Sequence, residues 1–224
     1  DGAMARWRTL YEIGVVATLI SDGGDELAQR YMAHEAVESK LALDEYDRCH
    51  QALGFKAMSL NERRRIERAF KAAVDAHGPE FGKPYGWAAE YLGLKRVTFK
   101  ELEDAADRSK MRSHYKMASY NVHADAKGVF HRLGVLGDPS MVIAGASDAG
   151  FVEPGQNTAI TLVQITALLF RDRTSNLDIM IRMQLLILVR DEIPRALLKA
   201  SRSLDRDHAR LQAEKKHKRA SKTS

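Results

Sequence analysis

A chain of 224 residues, 45% hydrophobic and 29% charged, has the balance of a folded globular protein and excludes a disordered one. Its single cysteine, Cys49, excludes an internal disulfide, so nothing in the chain requires an oxidising compartment. The net charge of +5 is unevenly placed: residues 199–224 carry nine Lys or Arg against three acids, a net +6, and the remaining 198 residues sum to −1.

The start, "DGAMARWRTLYE", has no apolar core followed by small residues, so no signal peptide is expected and the reading is cytoplasmic. "DGAM" resembles a cloning scar, with the natural protein expected to begin upstream and the folded domain to start at about residue 5. Trp7, Leu10, Tyr11, Gly14, Val15, Thr18 and Leu19 recur at helical spacing, and "SDGGD" is predicted to stop this helix after Ile20. A second helix is predicted from about Asp25 to Leu53, ended by Gly54. "SLNE" (Ser59 to Glu62) reads as a capping box opening a strongly basic helix that stops at Gly78-Pro79.

A short aromatic helix around "YGWAAEYLGL" follows, and "TFKE" (Thr98 to Glu101) is a second capping box. Ser109 is predicted to cap the next helix, which contains "SHYKMASYNVHADAKG" and should end near Gly128. Residues 134–156 turn to glycine, proline and small side chains, predicting one long ordered loop or a small hairpin. "NTAITLVQITALLF" and "LDIMIRMQLLILV" close the fold. Both are apolar nearly all round, which predicts deep burial, yet too short for a membrane span. They read as a central hairpin or as a homodimer interface across residues 158–190, and Pro194 is expected to kink or end the second. The whole predicts an all-α, single-domain helical bundle of about seven or eight helices over residues 5–200. A basic C-terminal tail at 201–224 reads as a frayed end or as a contact for RNA or other nucleic acid.

The side chains that carry chemistry fall at spacings of four. Arg8 and Glu12 sit at the edge of the first apolar face; His34 and Glu38 fall within the second; Ser119 and His123 share one face of the "YKMASYNVH" helix. On that helix Tyr115 belongs to the apolar stripe, Arg112 lies on the polar edge with Ser119 and His123, and Asn121 lies on the opposite flank with His114. Buried polar groups need partners, so Arg8, Glu12, His34, Glu38, Ser119 and His123 are expected to meet in one internal network if the three helices are neighbours.

Three chemistries could use such a network. "HEAVE" reverses the Glu-x-x-His order of carboxylate-bridged metal sites, so neither a metal nor a cofactor is expected. Ser119 with His123 as base lacks the exposed elbow and oxyanion hole of a nucleophilic site. A phosphate-steadying arginine with an acid–base histidine is the third, with Arg112 and His123 as candidates, and it would define a metal-independent ribonuclease. Arg108 and His114, Arg202 and His208, and Arg210 and His217 show the Arg-x4–6-His spacing, no more often than chance predicts. "GASDAG" lacks the lysine of a phosphate loop, and the helix-turn-helix look of "WAAEYLGLKRVTFKEL" is opposed by its acidic second helix.

"RTLYEIGVV", "RYMAHEAVES", "YKMASYNVHADAKG" and above all "AGASDAGFVEPGQNTAI" resemble a widespread bacterial family catalogued as a domain of unknown function, number 5677. The resemblance selects Arg8 and Glu12, then Tyr115, Ser119 and His123, then the loop from Gly145 to Pro154, and it covers most of residues 6–190. Ala146 replaces an expected proline, and residues 95–110 read as an insertion. The family is similar, more loosely, to a helical ribonuclease and nucleotide-binding superfamily, an analogy of fold. Two functions follow as expectations. A binding or interaction module predicts a buried, fully hydrogen-bonded His123; a ribonuclease or nucleic-acid-associated defence protein requires an accessible His123 with an arginine beside it.

Overall fold

Some helix breaks fall at a glycine and others where no breaker residue stands. The computed structural model describes residues 2–123, 125–130, 150–171 and 176–223. Helix α1 (Gly2–Ala33) passes through "SDG" instead of stopping after Ile20, and breaks at Gly24, whose φ of 65° and ψ of −158° suit glycine alone. The second predicted helix is likewise divided: His34 forms a turn between α1 and α2 (Glu35–Cys49), and the chain leaves the helix by turns from His50 to Gly54.

Of the two predicted capping boxes, the one at Thr98 forms in full and the one at Ser59 in half, because the Glu62 carboxylate takes the Ser59 hydroxyl proton instead of the backbone amide. Ser59 accepts from the Glu62 amide to open α3 (Leu60–His77), and the chain then turns at Gly78. Two 3-10 turns, Pro79–Gly82 and Gly86–Ala88, lead to α4 (Ala89–Leu92). Thr98 and Glu101 then cap α5 (Phe99–Ala105) reciprocally. Ser109–Met111 is a 3-10 turn before α6 (Arg112–Val122), and α7 (Ala126–Phe130) contains Gly128 within it, so the helix predicted to reach Gly128 ends six residues earlier. Of the predicted loop at 134–156, residues 134–149 lie outside the described residues. Its last part is helical, because α8 (Val152–Leu169) takes in "VEPGQ". Helix α9 (Leu177–Thr223) contains Pro194 and continues past it, losing one backbone hydrogen bond without ending, and it includes the basic tail up to Thr223.

The chain is an all-α helical bundle, and no strand occurs among the described residues. Its packing groups into two compact units, Asp1–Gly14 with Arg112–Ser224, and Val15–Met111. In the first, Met4, Trp7, Tyr11, Tyr115, Ala118 and Ala159 form the core, so the helix and its buried face include Met4 of the "DGAM" segment. The Trp7 and Tyr11 rings lie 5.5 Å apart, tilted by 33°, and the Trp7 indole donates to the buried Thr161 hydroxyl of α8 at 3.1 Å. In the second, Leu27, Val37, Leu43, Phe81, Trp87 and Leu102 are buried, as are the charged side chains of Arg30 and Glu103.

The apolar C-terminal pair is not the deeply buried hairpin that its composition predicts. Helix α8 covers one stripe of α9, shielding Ile179, Met183, Ile187 and Leu197. The opposite stripe stays open, with Leu185 56% and Leu188 52% exposed. One neighbouring helix can cover only one face of a cylinder. Among the described residues no helix is long and apolar enough to cross a membrane.

Candidate functional site

Arg8 and Glu12 are four apart on α1, and Tyr115, Ser119 and His123 repeat that step along and just past α6, so each set lines one helix face. The structure brings four of them into one chain of bonds. Arg8 Nε donates to Glu12 Oε1 at 3.1 Å, and Arg8 Nη2 donates to the Tyr115 hydroxyl at 3.1 Å. That hydroxyl donates onward to the same Glu12 oxygen at 2.7 Å. Arg8 Nη1 lies 3.4 Å from His123 Nε2. A guanidinium only donates, so Nε2 accepts and the neutral His123 ring carries its proton on Nδ1. Arg8 and Arg112 both lie over the Tyr115 ring, at 5.0 and 5.7 Å from its centre.

The network closes on the Tyr115 hydroxyl, and His123 stands at its exposed rim. Ser119 donates to the Tyr115 carbonyl at 2.9 Å, and its own carbonyl accepts from the His123 amide. Its hydroxyl proton is therefore committed to the backbone. Asn121 lies in α6, but its side chain is outside the described residues.

Burial, and then the bond to Glu12, push the Tyr115 phenol up to about 12, against the opposing pull of the Arg8 guanidinium. For Arg8 burial works downward, but the Tyr115 bond and the attraction of Glu12 outweigh it and hold the guanidinium above its usual range. A free tyrosine ionises near 10. The fold therefore favours neutral Tyr115, a stabilisation fully present below about pH 10 and lost as pH rises through about 12. In alkaline unfolding series, the stability advantage of the parent over Tyr115→Phe should narrow across this window. A gap that stays constant there would show that burial and the Glu12 bond do not hold the phenol in its neutral form.

His34 and Glu38 belong to a separate cluster in the Val15–Met111 unit. His34 is buried; its Nε2 donates to the Lys83 carbonyl at 3.0 Å, and its Nδ1 faces Glu38 at 3.6 Å without a hydrogen bond. Its ring meets Phe81 edge-on at 5.2 Å. Arg30 completes this cluster, donating to the Trp87 carbonyl at 3.2 Å and pairing with Glu90 at 2.6 Å. Sequence reading passed over Arg30, although it stands four before His34 and so extends the 30, 34, 38 row. It also missed the 2.6 Å pair of His114 Nδ1 with Glu153, for which 39 residues of separation leave no local signal. Among the described residues no three His, Cys, Asp or Glu side chains converge as a metal site would require.

Fold and site together define an all-α protein in which an arginine–glutamate pair on the first helix is clasped by a tyrosine from a later one. The chain belongs to a family of unknown function, DUF5677, which matches over residues 1–140. "RTLYEIGVV", "RYMAHEAVES" and "YKMASYNVHADAKG" lie inside that range, as do residues 95–110. "AGASDAGFVEPGQNTAI" lies beyond it, so the kinship rests on the N-terminal segments and not on the glycine-rich one. No curated protein and no solved structure matches the chain, and nothing in these comparisons supports the looser likeness to the helical ribonuclease superfamily.

Proposed function

We propose that this chain is a non-catalytic interaction module that pairs with a second copy of itself through the outward face of α9. The observation that carries this reading is the row of exposed apolar side chains at Leu177, Ile181, Leu185 and Leu188, flanked by Val189, on the side of α9 away from α8. Single exposed leucines are ordinary, but a contiguous row marks an interaction surface. Covering the exposed half of each side chain is worth about 1 kcal/mol. The Arg8–Glu12–Tyr115 network then has a packing role. Glu12 neutralises Arg8, all three guanidinium nitrogens have partners, and the imidazole Nε2 is engaged by Arg8.

A second reading, a metal-independent ribonuclease, is favoured by the exposure of His123 beside the Arg8 guanidinium, which the module reading did not expect. One preparation separates the two. At micromolar concentration, sedimentation velocity should give a dimer that becomes a monomer in Ile181→Glu/Leu185→Glu, with single-stranded RNA left intact. A parent that sediments as a monomer overturns the module. RNA cleavage lost in His123→Ala, with its melting temperature unchanged, establishes the ribonuclease.

A further inference from the structure

We propose that Arg195, Lys199, Arg202 and Arg206 form a ridge on α9 that binds the phosphate backbone of a nucleic acid. The four positions are spaced by four, three and four residues, so they fall within about 60° of one helix face and span about 16 Å of its axis. All four side chains are exposed. Leu198 stands beside them on the same helix.

The absence of acidic partners sets this face apart from the other described cations of the helix. Arg182 pairs with Asp178, Arg190 with Asp191 and Arg210 with Glu214. Among the described residues no acid pairs with Arg195, Lys199, Arg202 or Arg206. At 100° per residue Asp205 and Asp207 fall to the flanks, and Glu192 bounds the ridge at its N-terminal end. Four like charges brought together on one face repel one another, a cost that a polyanion removes on binding.

The chemistry points to phosphate. Three of the four cations are arginines, whose planar fork matches two phosphate oxygens at once. The cations recur once per helical turn of about 5.4 Å, so a strand lying along the helix meets successive charges. The tail charges beyond Arg206 add a long-range field of the same sign. An anionic membrane is the other surface such cations meet. An interfacial helix, however, needs a broad apolar face opposite its basic one. Here the far side of this segment offers only Leu204 and Leu211 as exposed large apolar side chains.

The test uses the whole chain and fluorescence anisotropy with labelled single-stranded RNA and duplex DNA, alongside vesicles containing an anionic phospholipid. The parent should bind nucleic acid with a steep salt dependence. Arg195→Gln/Lys199→Gln/Arg202→Gln/Arg206→Gln should weaken binding at least about tenfold and flatten the logarithmic salt slope by about 3. Its thermal melting should match the parent, since the altered side chains are exposed. A control, Lys215→Gln/Lys216→Gln/Lys218→Gln/Arg219→Gln, removes the same charge from the tail and should cost less. The ridge is overturned if the control loses as much, if the parent binds only vesicles, or if it binds none of the three.

Discussion

Trp7→Ala is expected to lower the free energy of unfolding by about 4 kcal/mol, the range for deleting a fully buried tryptophan. Trp7 is 1% exposed and anchors the start of α1 to α8 through its indole bond to Thr161. The Thr161 hydroxyl gives its own proton to the Asn157 carbonyl at 2.8 Å, so its oxygen is left for the indole to satisfy. Alanine therefore opens a cavity and strands a buried acceptor as well. Because Arg8 follows Trp7 directly, a loosened α1 also carries the guanidinium away from Tyr115. Trp7→Phe keeps the packing and loses the bond, so it should cost less than half as much. Urea denaturation followed by circular dichroism measures both. A loss below about 1.5 kcal/mol in Trp7→Ala would mean that this tryptophan is not the anchor.

Gly86→Ala is expected to cost about 3 kcal/mol by overpacking. A Cβ at this position would lie 2.3 Å from the Phe81 carbonyl oxygen and 2.5 Å from that of Glu80. Both are backbone atoms and cannot rotate aside. To relieve the contact the two 3-10 turns must separate, pulling Phe81 and Trp87 out of the packing around Arg30 and His34. Gly155→Ala is the informative contrast. Its Cβ would meet the Leu197 Cδ1 atom at 2.5 Å, the end of a side chain that can turn, and the cost should stay under about 1 kcal/mol. Thermal unfolding of the two variants side by side checks the difference; equal losses would refute the backbone argument.

What proved readable in the sequence was local. The serine and threonine caps at Ser59 and Thr98 satisfy amides three residues away, so a four-letter window contains the whole interaction. Arg8 with Glu12 is likewise one helical turn, so their pairing is legible without any distant partner. Helix breaks were harder to place. "SDGGD" signals a stop, but the chain breaks only at the residue that adopts positive φ, and His34 ends a helix with no breaker residue near it. The apolar C-terminal pair shows the limit of composition. Apolar side chains all round a helix say that it has cover to gain, and not how many neighbours are there to provide it.

By itself the sequence determined the all-α class, the caps, and which positions on each helix turn would share a face, because those follow from a repeat of 3.6 residues and from bonds closing within one turn. It also determined where charge accumulates along the chain. Only the tertiary structure decided that Glu12 meets Tyr115 across 103 positions and Trp7 meets Thr161 across 154, while His34 turns to Lys83 instead of joining them. Partners at such separations are chosen by which apolar faces pack together, and that is a property of the assembled helices.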